Sequence, residues 1–237
     1  MKKPTVFIVG LALGALIASG PAIVSMARWY FDERTVPAKI FADAELTRLP
    51  FDGNWWVSWG GENKTINHHY GASPQDLAID IRKIVDGSDT LTMQGDPLKN
   101  ESYGCWSQPI YAPIDGVVLS AVDGVPDNVP GELNNLMAGG NMVTLQSPEG
   151  FVVVLCHFKQ GSVAVRAGQL VKAGELLALC GNSGRSTEPH LHMHVQTEAS
   201  APKSQALRMV FHDIVVGGIR QDRHSPRNGD LLSALTP

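Results

Sequence analysis

The sequence predicts a mainly β fold, an antiparallel sheet with long loops, preceded by an N-terminal hydrophobic helix. Glycine (24) and proline (15) are frequent among the 237 residues and punctuate the chain with turns. The apolar runs between them are short and rich in β-branched residues, as in GVVLSAV and FVVVLCHF. Beyond the first thirty or so residues there is no long amphipathic helix, no repeat and no low-complexity tract.

Lys2 and Lys3 precede an apolar run from Val6 to about Met26, a basic start and apolar stretch of the kind that directs export. The run approaches the ~20 residues that span a bilayer, and Arg28 and Trp29 follow where an interfacial anchor would sit. Ala18, Ser19 and Gly20 keep a cleavable signal peptide open beside an uncleaved anchor. An anchor would leave Lys2 and Lys3 in the cytoplasm and place everything after Tyr30 on the periplasmic or extracellular side. Residues 31–60 read as a linker with a short helical piece over Ala42 to Arg48, residues 61–200 as the main domain, and residues 201–237 as a C-terminal extension.

The strands follow in order. One is entered at Leu77 to Ile81; a polar loop runs from Asp86 to Gln108; PIYAPIDGVVLSAVDG holds two strands about Pro113 to Gly116. A second long loop, VPDNVPGELNNLMAGG, precedes a hairpin whose turn is Ser147 to Gly150. VRAGQLVKAGELLALCGNSG alternates glycine turns with short apolar runs and leads into HLHMHV; MVFHDIVVGG adds a strand before a loose end. A net charge of −4 and a pI near 6.0 argue against a nucleic-acid partner, which would require a basic face. Cys105, Cys156 and Cys180 are an odd set without CxxC spacing, so they read as buried thiols or as one disulfide and a leftover thiol.

Side chains alternate along a strand, so His190, His192 and His194 share one face. Three imidazoles there are costly to bury unless ligated or hydrogen-bonded; the bland alternative is a polar outer face. Asp80 lies in an apolar strand, where it either faces solvent or needs an inward partner, and His68 and His69 precede it. His157 ends the apolar run VVVLCHF, where a satisfied strand-end histidine is the ordinary reading. Taken together, imidazoles and a carboxylate are the ligands of catalytic Zn2+, with three protein groups and an open fourth position for water. Such water ionises near neutral pH and can attack a carbonyl.

HHYGASPQDLAID, then LCHF, then VRAGQLVKAGELLALCGNSGRSTEPHLHMHV closely resemble the LytM/lysostaphin-type zinc metallopeptidases. The resemblance runs from His68 to Val195 and implies an antiparallel sheet or half-barrel core of the LytM type. It implies zinc held by Asp80, by His192 and by His69, with His68 as the alternative to His69. The gap from these histidines to Asp80 exceeds the family's tight HxxxD, as in the branch with a loop inserted before an AxD strand. His157 and His190 match the family's unligated catalytic histidines, which position or deprotonate water and stabilise the tetrahedral intermediate. His194 lies outside the motif and either orients ligands or faces solvent. Asn141 and Asn182 read as turn residues, and Arg185 and Ser186 as weak candidates for substrate contact. The implied function is an exported zinc endopeptidase that hydrolyses peptide bonds of bacterial cell-wall peptidoglycan. The competing reading is a non-catalytic regulator or cell-wall binder on the same scaffold. A lipoyl- or biotin-carrier reading of VKAGELLAL fails, because Lys172 is not displayed at a hairpin tip and the histidines would go unexplained.

Overall fold

The computed structural model describes residues 40–86, 92–200 and 203–235. The apolar N-terminal run lies outside them. Among the described residues no helix is long and apolar enough to cross a membrane, and regular structure is almost wholly strand: β1 (Asp43–Leu46), β2 (Trp55–Trp59), β3 (Ile79–Lys83), β4 (Pro109–Tyr111), β5 (Gly116–Val122), β6 (Asn141–Gln146), β7 (Val152–Phe158), β8 (Leu170–Val171), β9 (Leu176–Leu179), β10 (Leu191–Gln196), β11 (Ala206–Val216), β12 (Ile219–His224) and β13 (Leu231–Ala234). One 3-10 turn spans Asn100–Ser102.

The large sheet runs β1-β11-β13-β2-β3-β10-β7-β6-β5-β8, with β12 on β11 and a separate β4-β9 pair. One edge of β10 is shared. Leu191 to Met193 pair with β3, whereas Val195 and Gln196 pair with β11. That second pairing closes β11, β13, β2, β3 and β10 into a ring, so the core is barrel-like rather than an open sheet. The extension after residue 200 is therefore part of the main domain and not a loose end.

The segment expected to be helical, Ala42 to Arg48, is instead β1, paired parallel to β11. Its side chains alternate: Ala44 and Leu46 enter the core, while Asp43 and Glu45 face out toward Arg208, Arg223 and His212. Burying two apolar groups and gaining a backbone ladder outweighs the helix propensity of four residues, which is at most a few tenths of a kcal/mol each.

Trp55, Val57, Ile79, Ile81, Leu155, Phe158, Leu191 and Met193 fill the core. On the opposite face of the same strands, Val152, Val154 and Cys156 form a smaller apolar floor. Asp80 is directly opposite His192 in register, so both side chains emerge on that second face.

Candidate metal centre

Strand β7 solves a problem of alternation. Val153 and Leu155 point to the core, and Val152, Val154 and Cys156 to the opposite face, so His157 should point inward. A bulge prevents this: pairing with β6 shifts between Asn141 and Val143, and His157 adopts a left-handed backbone with φ 65°. Cys156 and His157 then both serve the second face, while Phe158 returns to the core. A left-handed residue with a Cβ is strained by roughly 1–2 kcal/mol, and such strain gathers where a side chain must be aimed.

The loop that carries His68 and His69 is anchored by Asn67, a fully buried residue that sequence reasoning passed over. Its amide donates to the carbonyls of Gly61 (2.9 Å), Asp76 (3.1 Å) and Ala78 (3.1 Å), and its Oδ1 accepts from the His69 N–H (3.0 Å). The Asn that precedes a His pair was the available signal, since Asn side chains commonly hold such turns. The far wall, Gly181 to Pro189, lies against residues 137–141. A Cβ on Gly140 would come within 2.5 Å of the Ser183 backbone, so only glycine allows that approach. Asn141 and Asn182 do more than shape turns. Asn141 Oδ1 accepts from Val125 N–H, and its amide donates to the carbonyls of Val125 and Phe158.

The fold gathers the expected site residues around one buried carboxylate. Asp80 Oδ2 lies 3.1 Å from His69 Nε2 and 3.6 Å from His68 Nε2; Oδ1 lies 2.9 Å from His192 Nδ1 and 3.6 Å from His190 Nε2. Asp80 is 4% exposed, which rules out the solvent-facing alternative. His68, His69 and Asp80 offer ligand atoms all within 4.8 Å of one another. The two histidines differ in setting: the His68 side chain is 49% exposed and stands edge-on to Trp59, that of His69 only 14% exposed. His157 stands behind, with ring centroids 4.8 Å from His190 and 5.7 Å from His192. The rings of His68, His69, His157, His192 and His194 and the Arg185 side chain line a cleft of about 430 Å³. His194 is buried there, not solvent-facing, whereas Ser186 turns its hydroxyl inward to Glu188 O and His190.

Backbone carbonyls fix two tautomers. His157 Nδ1–H donates to Ser183 O at 2.8 Å, and His190 Nδ1–H to Glu188 O at 2.8 Å, leaving Nε2 of each for the site. Glu188 is itself held by Arg82 at 2.5 Å. Burial pushes the carboxyl of Asp80 up, but the charge of His190 and the close ring nitrogens of His190, His192 and His69 hold it well below the usual range. Burial also drives His157 well down and His192 down. Against the same burial, the Asp80 charge and hydrogen bond and the Glu188 carbonyl raise His190. The result is a carboxylate held in its anionic form beside a His192 ring whose neutral form burial favours, and carboxylate and imidazole are a donor set that suits zinc.

All three cysteines are buried and reduced. Cys105 donates to the carbonyl of Pro189, the residue before His190, at 2.9 Å, and burial pushes the Cys156 thiol up to about 12.

Residues 104–204 match the model of peptidase family M23. The chain carries an M23 peptidase domain. The match contains His157, His190 and His192, whereas His69 and Asp80 lie before it, on β3 and the loop that leads to it. An uncharacterized metalloprotease of Haemophilus influenzae is 36% identical over 98 residues, 40% of this chain and 18% of the relative. Peptidoglycan DD-endopeptidase ShyA of Vibrio cholerae is 32% identical over 84 residues, 35% of this chain and 16% of the relative. The chain thus spans about a fifth or less of these relatives' length. Among solved structures, the deep-sea M23 metalloprotease pseudoalterin aligns at a TM-score of 0.41 and 13% identity, over 81% of this chain and 99% of that one. Lysostaphin of Staphylococcus simulans aligns at 0.40 and 19%, over 70% of this chain and 52% of that one.

Proposed function

We propose that this M23 domain is a zinc-dependent endopeptidase that cleaves peptide bonds of bacterial cell-wall peptidoglycan, exported behind the apolar N-terminal run as signal or anchor. The observation that carries the reading is Asp80, buried in register with His192 and reached on its other oxygen by His69. His69 Nε2, Asp80 and His192 Nδ1 are assigned as the ligands. His69 is preferred to His68 because it is closer to the carboxylate and shielded from water. Bound zinc would supply Lewis acidity to the scissile carbonyl and to the attacking water.

The chain's own groups divide the remaining work. His157, kept neutral by burial with its Nδ1 proton engaged by Ser183 O, accepts a proton at Nε2 from the attacking water. His190, whose protonated form Asp80 favours against burial, donates from Nε2 to the carbonyl oxygen as negative charge develops. Two neighbouring imidazoles are thus shifted in opposite directions, the usual mark of an acid and base pair. The substrate class follows the peptidoglycan for which the Vibrio relative is named.

The test is digestion of purified peptidoglycan, read as new amino termini by mass spectrometry. Wild-type chain should release them, and a chelator or His157→Ala should stop release, with zinc retained in the variant. Zinc retention by wild type without cleavage of any wall peptide would instead indicate a non-catalytic binder.

A further inference from the structure

Strand β10 continues past the assigned ligand with two more buried polar groups, His194 at 5% and Gln196 at 3% exposure. Their cross-strand neighbours on β7 are Val154 and Val152, so neither has water to lean on. They form a chain that begins at the metal centre. His192 Nε2 lies 3.1 Å from His194 Nδ1, and His194 Nε2 lies 3.2 Å from Gln196 Oε1. The Gln196 amide group donates to Glu198 O at 2.6 Å, which fixes which end of that side chain meets the imidazole.

Counting protons along this line shows a deficit. Asp80 Oδ1 at one end and Gln196 Oε1 at the other can only accept, and three contacts separate them. Two neutral imidazoles carry one N–H each, so two protons must serve three contacts. Since Gln196 is oriented to accept, the His194 proton belongs on Nε2. His194 Nδ1 then accepts, and the His192 proton is drawn to Nε2. The contact left without a proton is His192 Nδ1 against Asp80, where a lone pair faces a carboxylate. A cation between those two atoms removes the repulsion.

We propose that Gln196 and His194 are positioning residues that hold His192 in the tautomer whose Nδ1 lone pair faces the metal. The inference rests on the assignment of His192 as a ligand. Partners that engage the distal nitrogen of a ligating histidine fix its tautomer and raise its basicity, and their loss commonly costs metal affinity by about 10–100-fold. Here the partner is a second histidine, and the acceptor that orients it sits one step further along the same strand face.

The experiment measures zinc affinity of the full chain by competition with a chromophoric chelator. Gln196→Met keeps the length and removes the acceptor, and zinc should bind about 10–100-fold more weakly. Gln196→Glu keeps the acceptor and should bind at least as tightly as wild type. The melting temperature of each zinc-free variant shows whether it folds. A folded Gln196→Met with wild-type affinity would overturn the proposal while leaving the metal assignment intact. Should Gln196→Met not fold, ring 15N shifts of the zinc-loaded wild type decide. Nε2–H on both His192 and His194 supports the relay, and Nδ1–H on His194 overturns it. Wild type that takes up no zinc would remove the metal reading and this inference together.

Discussion

His157 offers an unusual pair of substitutions, because its backbone and its ring can be tested separately. At an ordinary strand position Gly is less stable than Ala by roughly 0.5–1 kcal/mol. His157 is left-handed at φ 65°, where a Cβ costs roughly 1–2 kcal/mol that glycine does not incur. The difference between these opposing effects predicts that His157→Gly is the more stable by about 0.5–1 kcal/mol, an inversion of the usual order. Both variants lose the same imidazole and the same bond to Ser183 O, so cavity and hydrogen-bond losses largely cancel in the comparison. Urea denaturation of the zinc-free proteins measures it. Both should lose roughly 10²–10⁴-fold in hydrolysis as a proton acceptor disappears, and both should keep zinc. If the Ala variant is the more stable, the bulge does not impose the strain described, and the account of how β7 aims His157 is wrong.

Two further outcomes follow from burial. Asn141→Ala strands the buried N–H and carbonyl of Val125, while the carbonyl of Phe158 keeps the Ser183 hydroxyl as its donor. Each such group costs about 1–3 kcal/mol unless water enters, so a thermal melt should show one of the larger losses of any polar substitution. Acid should also weaken the zinc-free fold. His157, His192 and His194 have folded values below the ordinary range, that of His194 about 3 through burial and the nearby His192. Unfolded histidines titrate near ~6.5, so below that pH the unfolded chain binds more protons than the native one. Stability is therefore full above pH ~6.5 and falls on acidification, by up to ~1.4 kcal/mol per pH unit for each such histidine. His190 acts in the opposite sense: its folded value is raised, so its contribution is present below pH ~6.5 and lost as pH rises through the folded value. Burial lowers His68 as well, so four histidines against one leave a net loss toward acid, measurable as the urea midpoint from pH 7 to 4. A midpoint that rises as pH falls would contradict these assignments.

The parts of the site that sequence displays are those built on strand periodicity. HLHMHV and LAIDI put His192 and Asp80 on alternating positions, and their direct opposition needs only the pairing of β10 with β3. What alternation cannot express is hidden. His157 follows Cys156 and should face the other way, and only the β6–β7 bulge turns it to the site. Likewise, DAEL reads locally as helix, and its strand state depends on β11, more than 160 residues later; the period of two in Ala44 and Leu46 was the only local hint. Ring closure depends on Val195 and Gln196 reaching Leu207 and Ala206 rather than β3, a choice that no local pattern encodes. The contrast between His68 and His69 is three-dimensional too: Asn67 binds the His69 N–H and the loop turns that side chain under cover.

The central assignment is the ligand set. An anomalous difference map at the zinc edge, from crystals of the zinc-loaded chain, tests it directly. One peak is expected within ~2.0–2.2 Å of His69 Nε2, Asp80 and His192 Nδ1, with His157 and His190 outside that shell. A peak held by His68 in place of His69, or one removed from Asp80, would contradict it.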